Sequence, residues 1–101
     1  MLEKMIRSQT AKQEQQLESF LARHDAANPF PEDVLLTADV DYMGDGQPCH
    51  RMDVFRPREA KEALPVLVNL HGGGFLLGKK EANRLFCADM CRRGFVVFCL
   101  E

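Results

Sequence analysis

No charge of one sign dominates this chain, no long hydrophobic run crosses it, and none of its cysteines stands in a C-x-x-C pair. Each lack excludes a class. Lys and Arg number 13 against 15 Asp and Glu, a net charge of -2, so the chain has no basic surplus with which to neutralise nucleic-acid phosphates or an anionic membrane. No uninterrupted apolar stretch approaches the roughly 20 residues that span a bilayer. The opening "MLEKMIRSQTAKQEQQLE" has no signal-peptide core, and the expected compartment is the cytoplasm. Cys87 and Cys91 lie one helical turn apart, but zinc needs two further ligands and no second pair supplies them, so no metal or other cofactor is expected. With Cys99 they fall in stretches that read as buried helix or strand, where a reduced thiol packs as a small apolar group. Repeats and low-complexity tracts are absent, and Ser8 and Ser19 are the only serines.

What is present fits one modest domain or a piece of a larger one: 101 residues, 46% hydrophobic and 28% charged. Residues 1–25 read as a helix with Leu2, Met5 and Ile6 on one face, Leu17, Phe20 and Leu21 further on, and a Gln-rich middle between them. Pro29 and Pro31 end it. Residues 34–43 alternate at Ala38, Val40 and Tyr42 as a half-buried strand does. "GDGQP" turns the chain into a second strand at 51–56, with Met52 and Val54 on one side, and the two are expected to form an antiparallel hairpin. "LPVLVNL" is apolar apart from Asn69, as for a strand covered on both faces. Helical spacing returns over about 79–93, with Ala82, Leu85, Phe86 and Met90 as its apolar positions, and stops at Gly94. "FVVFCLE" closes a β-α-β unit with parallel strands. The fold class is α/β.

At the end of the first strand of that unit stands "NLHGGGFLLGKK", residues 69–80. Glycines there let the backbone approach a ligand and adopt positive φ, in the crevice where α/β proteins bind. A dinucleotide fingerprint starting at Gly72 fails, because Leu77 occupies the third glycine position. The phosphate-loop register Gly73, Gly78, Lys79 fits until Lys80, where a Ser or Thr must serve a magnesium ion. A nucleotide-binding or non-catalytic module with a degenerate phosphate loop therefore stands as the alternative. Acyl transfer uses every feature of the stretch, since backbone N–H groups aimed at a tetrahedral oxyanion are worth roughly 3 kcal/mol each, and "HGGG" after a strand is the esterase form of that loop.

"MDVFRP", "LPVLVNLHGGGFLLG" and "RRGFVVFCLE", in that order over residues 50–101, make the chain resemble the hormone-sensitive-lipase-like carboxylesterases of the α/β-hydrolase superfamily. The resemblance implies the N-terminal part of an α/β-hydrolase fold with an incomplete sheet. Residues 1–33 would be an N-terminal helical segment with a place in a lid, and 34–101 the first four strands and first core helix. Gly73 and Gly74 would donate the oxyanion hydrogen bonds, Gly72 and His71 would shape the loop, and Phe75 would line the pocket for a small-molecule ester. The family's nucleophile in G-x-S-x-G, its acid and its base all follow this loop. None stands in this chain, so it is expected to be an N-terminal piece of a serine hydrolase, inactive alone. In the resembled fold, 95–101 lies between the hairpin and "PVLVNL", leaving the latter an edge that takes either the remainder of the domain or a second copy of the chain as partner.

Overall fold

Long helices form where straight-chain residues abound, and the first 27 residues are rich in Glu, Gln, Lys, Arg and Leu. In the computed structural model, which describes residues 1–73 and 78–101, they wind into α1, Leu2–Ala27. Arg7 donates to Glu3 one turn earlier at 2.6 Å, and the Asn28 amide takes up the His24 carbonyl at 2.8 Å. The apolar positions expected to lean on a neighbour are mostly exposed: α1 buries no residue, and Leu2, Met5, Ile6 and Phe20 all face solvent. The polar Gln-rich stretch breaks the stripe, so the helix stands on propensity and i,i+4 pairs. Met1–Pro29 and Gly72–Gly78 form one compact unit of the chain.

Phe30–His71 and Lys79–Glu101 form the other. Its strands are β1 (Val34–Asp41), β2 (Arg51–Pro57), β3 (Val66–Leu70) and β4 (Val96–Leu100), with α2 (Arg84–Arg92) on the crossover between the last two. The sheet order is β1-β2-β4-β3. β2 runs antiparallel to β1 and β4, while β3 and β4 are parallel. This is the hairpin and the β-α-β unit expected, with β4 between them.

β1 stops two residues early because the Asp41 carboxylate collects the amides of Met43, Gly44 and Gly46 at 3.1, 2.7 and 2.8 Å, folding the chain into a turn. The three bonds hold the Asp41 carboxyl below the ordinary carboxylate range, Gly46 contributing most. Inside β1 the register slips between Thr37 and Val40, a bulge at which Asp39 takes a φ of 57°.

The core lies where α2 packs on the sheet: Val34, Phe55, Cys87, Ala88, Cys91, Val97 and Cys99, with Phe30 tilted against Phe55 at 6.2 Å between ring centroids. Complete burial of Phe55 alone contributes on the order of 2 kcal/mol. Three expectations change here. Helical structure begins as a 3-10 turn, Lys80–Asn83, and becomes α-helical only at Arg84. That tighter winding breaks the phase read from Ala82, so small residues, Cys87, Ala88 and Cys91, meet the sheet and Phe86 turns to solvent. On β2 the fully buried residues are Asp53 and Phe55 instead of Met52 and Val54. β3 is not covered on both faces: Val66, Val68 and Leu70 are 54, 58 and 70% exposed.

Candidate active site at the carboxyl ends of β3 and β4

Parallel strands deliver their carboxyl ends to one edge of a sheet, and Leu70 lies opposite Leu100. The next residues, His71 and Glu101, therefore leave the sheet side by side, His71 Nε2 standing 3.9 Å from Glu101 Oε1. Glu101 is fixed from its other side by its backbone amide, which donates to the Arg51 carbonyl at 3.0 Å. The histidine read as a loop brace thus sits half-buried at the strand end, beside a carboxylate.

From His71 the glycine loop departs. Gly72 is exposed, and among the described residues nothing beyond its own chain neighbours lies within 4 Å of where a Cβ would stand. Gly73 has a φ of 146° and Gly78 one of 106°, both in the region that side-chain-bearing residues avoid. Gly74 and Phe75, the second expected donor and the expected pocket residue, lie outside the described residues.

Where the chain re-enters the sheet unit it buries a lysine. Lys80 is 2% exposed, and its ammonium lies 2.9 Å from Asp39 Oδ1, 3.1 Å from Asp53 Oδ1, 2.6 Å from Glu81 Oε1 and 4.0 Å from Glu101 Oε2. Burial alone would draw its pKa down, but hydrogen bonds to Asp39, Glu81 and Asp53 outweigh that and raise it above the ordinary lysine value, so the charge is permanent. The same ammonium keeps the Asp39 carboxyl low. Asp53 is wholly buried; it takes the Asp39 amide at 3.0 Å and Arg84 Nη2 at 3.2 Å. That bond secures the left-handed conformation at Asp39, so the β1 bulge and the lysine pocket are one construction. The Lys80 backbone is held as well, its carbonyl accepting the Cys99 thiol at 3.4 Å, while Asn69 Nδ2 donates to the same sulfur at 3.5 Å.

Of the four free cysteines, Cys49 is exposed and the others are buried. The hydrogen bond with Cys99, then burial, pushes the Cys87 thiol up; burial does the same at Cys91. These are packing thiols. His50, in the turn Pro48–His50, stands 2.5 Å from Asp45 Oδ2, and His24 lies against Asp25 on α1. Among the described residues no cluster of His, Cys, Asp and Glu could hold a metal ion, and no helix is long and apolar enough to cross a membrane.

Sequence reading missed Lys80 and Asp53 as a pair. The signal was there in Asp53, which shares a strand face with Phe55 by period 2: a carboxylate on a core face requires a buried cation.

The BD-FAE family model matches residues 52–101. A probable isoprenylcysteine alpha-carbonyl methylesterase of Oryza sativa subsp. japonica is 33% identical over 55 residues, which is 54% of this chain and 13% of that protein. Esterase B from Lactobacillus rhamnosis superposes with a TM-score of 0.85 at 22% identity, over 99% of this chain and 32% of its own. A bacterial heroin esterase gives 0.71 at 24% identity, over 93% and 30%. The chain thus spans about a third of the solved esterases it matches and a smaller share of the plant relative.

Proposed function

We propose that this chain, which resembles the hormone-sensitive-lipase-like carboxylesterases and matches the BD-FAE family model over residues 52–101, supplies the oxyanion-hole loop of a serine carboxylesterase whose nucleophile, acid and base lie outside these 101 residues. In this reading the backbone N–H groups of Gly73 and Gly74 stabilise the tetrahedral oxyanion formed when a serine adds to an ester carbonyl. Gly72 and His71 shape the loop, Phe75 lines the pocket, and residues 1–33 contribute to a lid. The substrate is a small-molecule carboxylic ester.

The observation that carries the reading is the φ of 146° at Gly73, three residues after a parallel strand ends. Backbone conformation of that kind admits only glycine at no cost, and the carboxyl ends of α/β strands are where such folds bind ligands, which supports an oxyanion role for the loop. The phosphate-loop alternative loses support from Lys80, whose ammonium is engaged by carboxylates that would repel a phosphate.

In the complete hydrolase, Gly73→Ala should lower turnover of a short p-nitrophenyl ester at least about tenfold, since one oxyanion donor is worth on the order of 10² to 10³ in rate. The variant should still melt cooperatively. Unchanged turnover in a folded variant removes Gly73 from the oxyanion hole.

A further inference from the structure

The glycine loop has two stems, His71 where it leaves the sheet and Lys80 where it returns, and both meet one carboxylate. His71 Nε2 is 3.9 Å from Glu101 Oε1, and Lys80 Nζ is 4.0 Å from Glu101 Oε2. Nothing about a loop requires its ends to share an anion at the end of a neighbouring strand. We infer that Lys80 and Glu101 are positioning residues, forming an ionic clamp with His71 that restrains the two ends from which the glycine segment leaves and re-enters the sheet unit. The inference rests on the oxyanion reading for its catalytic meaning and on the stem geometry for its existence.

Each member of the clamp is anchored apart from the others. The Glu101 backbone is bonded to β2 through Arg51, and its neighbour Leu100 lies in register with both β2 and β3. Lys80 is held at its carbonyl by Cys99 and at its ammonium by Asp53, a carboxylate with no exposure at all. An ammonium that merely needed a counter-ion had Asp53, Asp39 and Glu81 within 3.1 Å. Glu101 stands beside these as a fourth carboxylate, with His71 against its other oxygen. At 27% side-chain exposure Glu101 is screened less than a surface group, so the ties on its two oxygens carry real restraint.

The test is Glu101→Gln in the 101-residue chain, which removes the charge and keeps the shape. Amide hydrogen exchange at Gly72, Gly73 and Gly78 should accelerate at least about tenfold, the signature of a local opening made easier. The His71 ring resonances should shift, and exchange in β2 and β4 should stay within about twofold. Glycine amides and a His71 signal that do not move would overturn the clamp, as would equal acceleration throughout the sheet. Lys80→Met supplies the other arm: if it folds, the same glycines must respond, and if it does not, Glu101→Gln decides alone. No ester is involved, so a failed clamp and a failed Gly73→Ala assay are separate results.

Discussion

Replacing Lys80 by Met keeps the length of the side chain and deletes its charge. The consequences can be apportioned from exposure. Asp39 is 58% exposed in its side chain, Glu81 35% and Glu101 27%, so all three can turn to water and lose little. Asp53 cannot, being 0% exposed. Removing one partner of a buried pair typically costs about 3 to 5 kcal/mol, because the other charge is left desolvated. Asp53 retains Arg84 Nη2 at 3.2 Å and the Asp39 amide at 3.0 Å, which places the expected loss near the low end, about 3 kcal/mol. In a domain of this size that lowers Tm by about 12 to 24 °C. Asp53→Asn is milder, on the order of 1 kcal/mol, since the amide still accepts from Asp39 and Lys80 keeps its other carboxylates. The double variant leaves no unpaired buried charge, so it should be more stable than the two losses added together predict, by at least about 1 kcal/mol. Urea denaturation of the four proteins, followed by circular dichroism, completes the cycle. A Lys80→Met variant within about 0.5 kcal/mol of the unaltered chain, or losses that simply add, would refute the reasoning.

Two more outcomes follow from the turn and the sheet edge. A carboxyl whose pKa is depressed by folding contributes stability that is complete above its unfolded value, near 3.8 for Asp41, and lost as pH falls through the lower folded value. The chain should therefore lose stability below about pH 4, and the gap in Tm between it and Asp41→Asn should narrow as pH drops from about 6 to about 3; a constant gap would mean the turn amides do not depress that carboxyl. Among the described residues β3 has no strand on its outer side, and it exposes Val66, Val68 and Leu70. Light scattering coupled to size-exclusion chromatography should find concentration-dependent association, weakened by Val68→Lys; a monomer at every concentration would contradict it.

The β-rich runs were legible because their periodicity and punctuation agreed. "PVLVNL" and "FVVFCL" admit only strands at that length, and Gly94, with a φ of 107°, ends α2 at the residue expected. Their order followed from the family resemblance, which puts β4 between the hairpin and β3 as observed. Boundaries failed where side chains compete with the backbone. Asp41 takes amides that would have extended β1, and the residues around Lys80 wind as a 3-10 turn in place of a first α-helical turn. Neither effect appears in a hydrophobic pattern, because both are made by polar atoms.

Lys80 carries this further. As a member of a phosphate loop it is a defect, the residue that breaks the magnesium position, and linear reading stops at that negative result. Its positive role depends on a carboxylate 27 positions earlier, on a bulge in β1 and on the end of β4, each of which the sheet order brings within 4.0 Å of its ammonium. The Asp39 conformation shows how closely these depend on one another. A non-glycine residue at a φ of 57° is held by the hydrogen bond its N–H donates to Asp53, and the buried Asp53 carboxylate is in turn faced by Lys80 and Arg84. Removing the lysine is therefore expected to loosen a bulge on the far strand as well as the point where the chain re-enters the sheet unit. That dependence is why Lys80 cannot be read from "HGGG" and its neighbours alone: its partners are charged residues scattered over the chain.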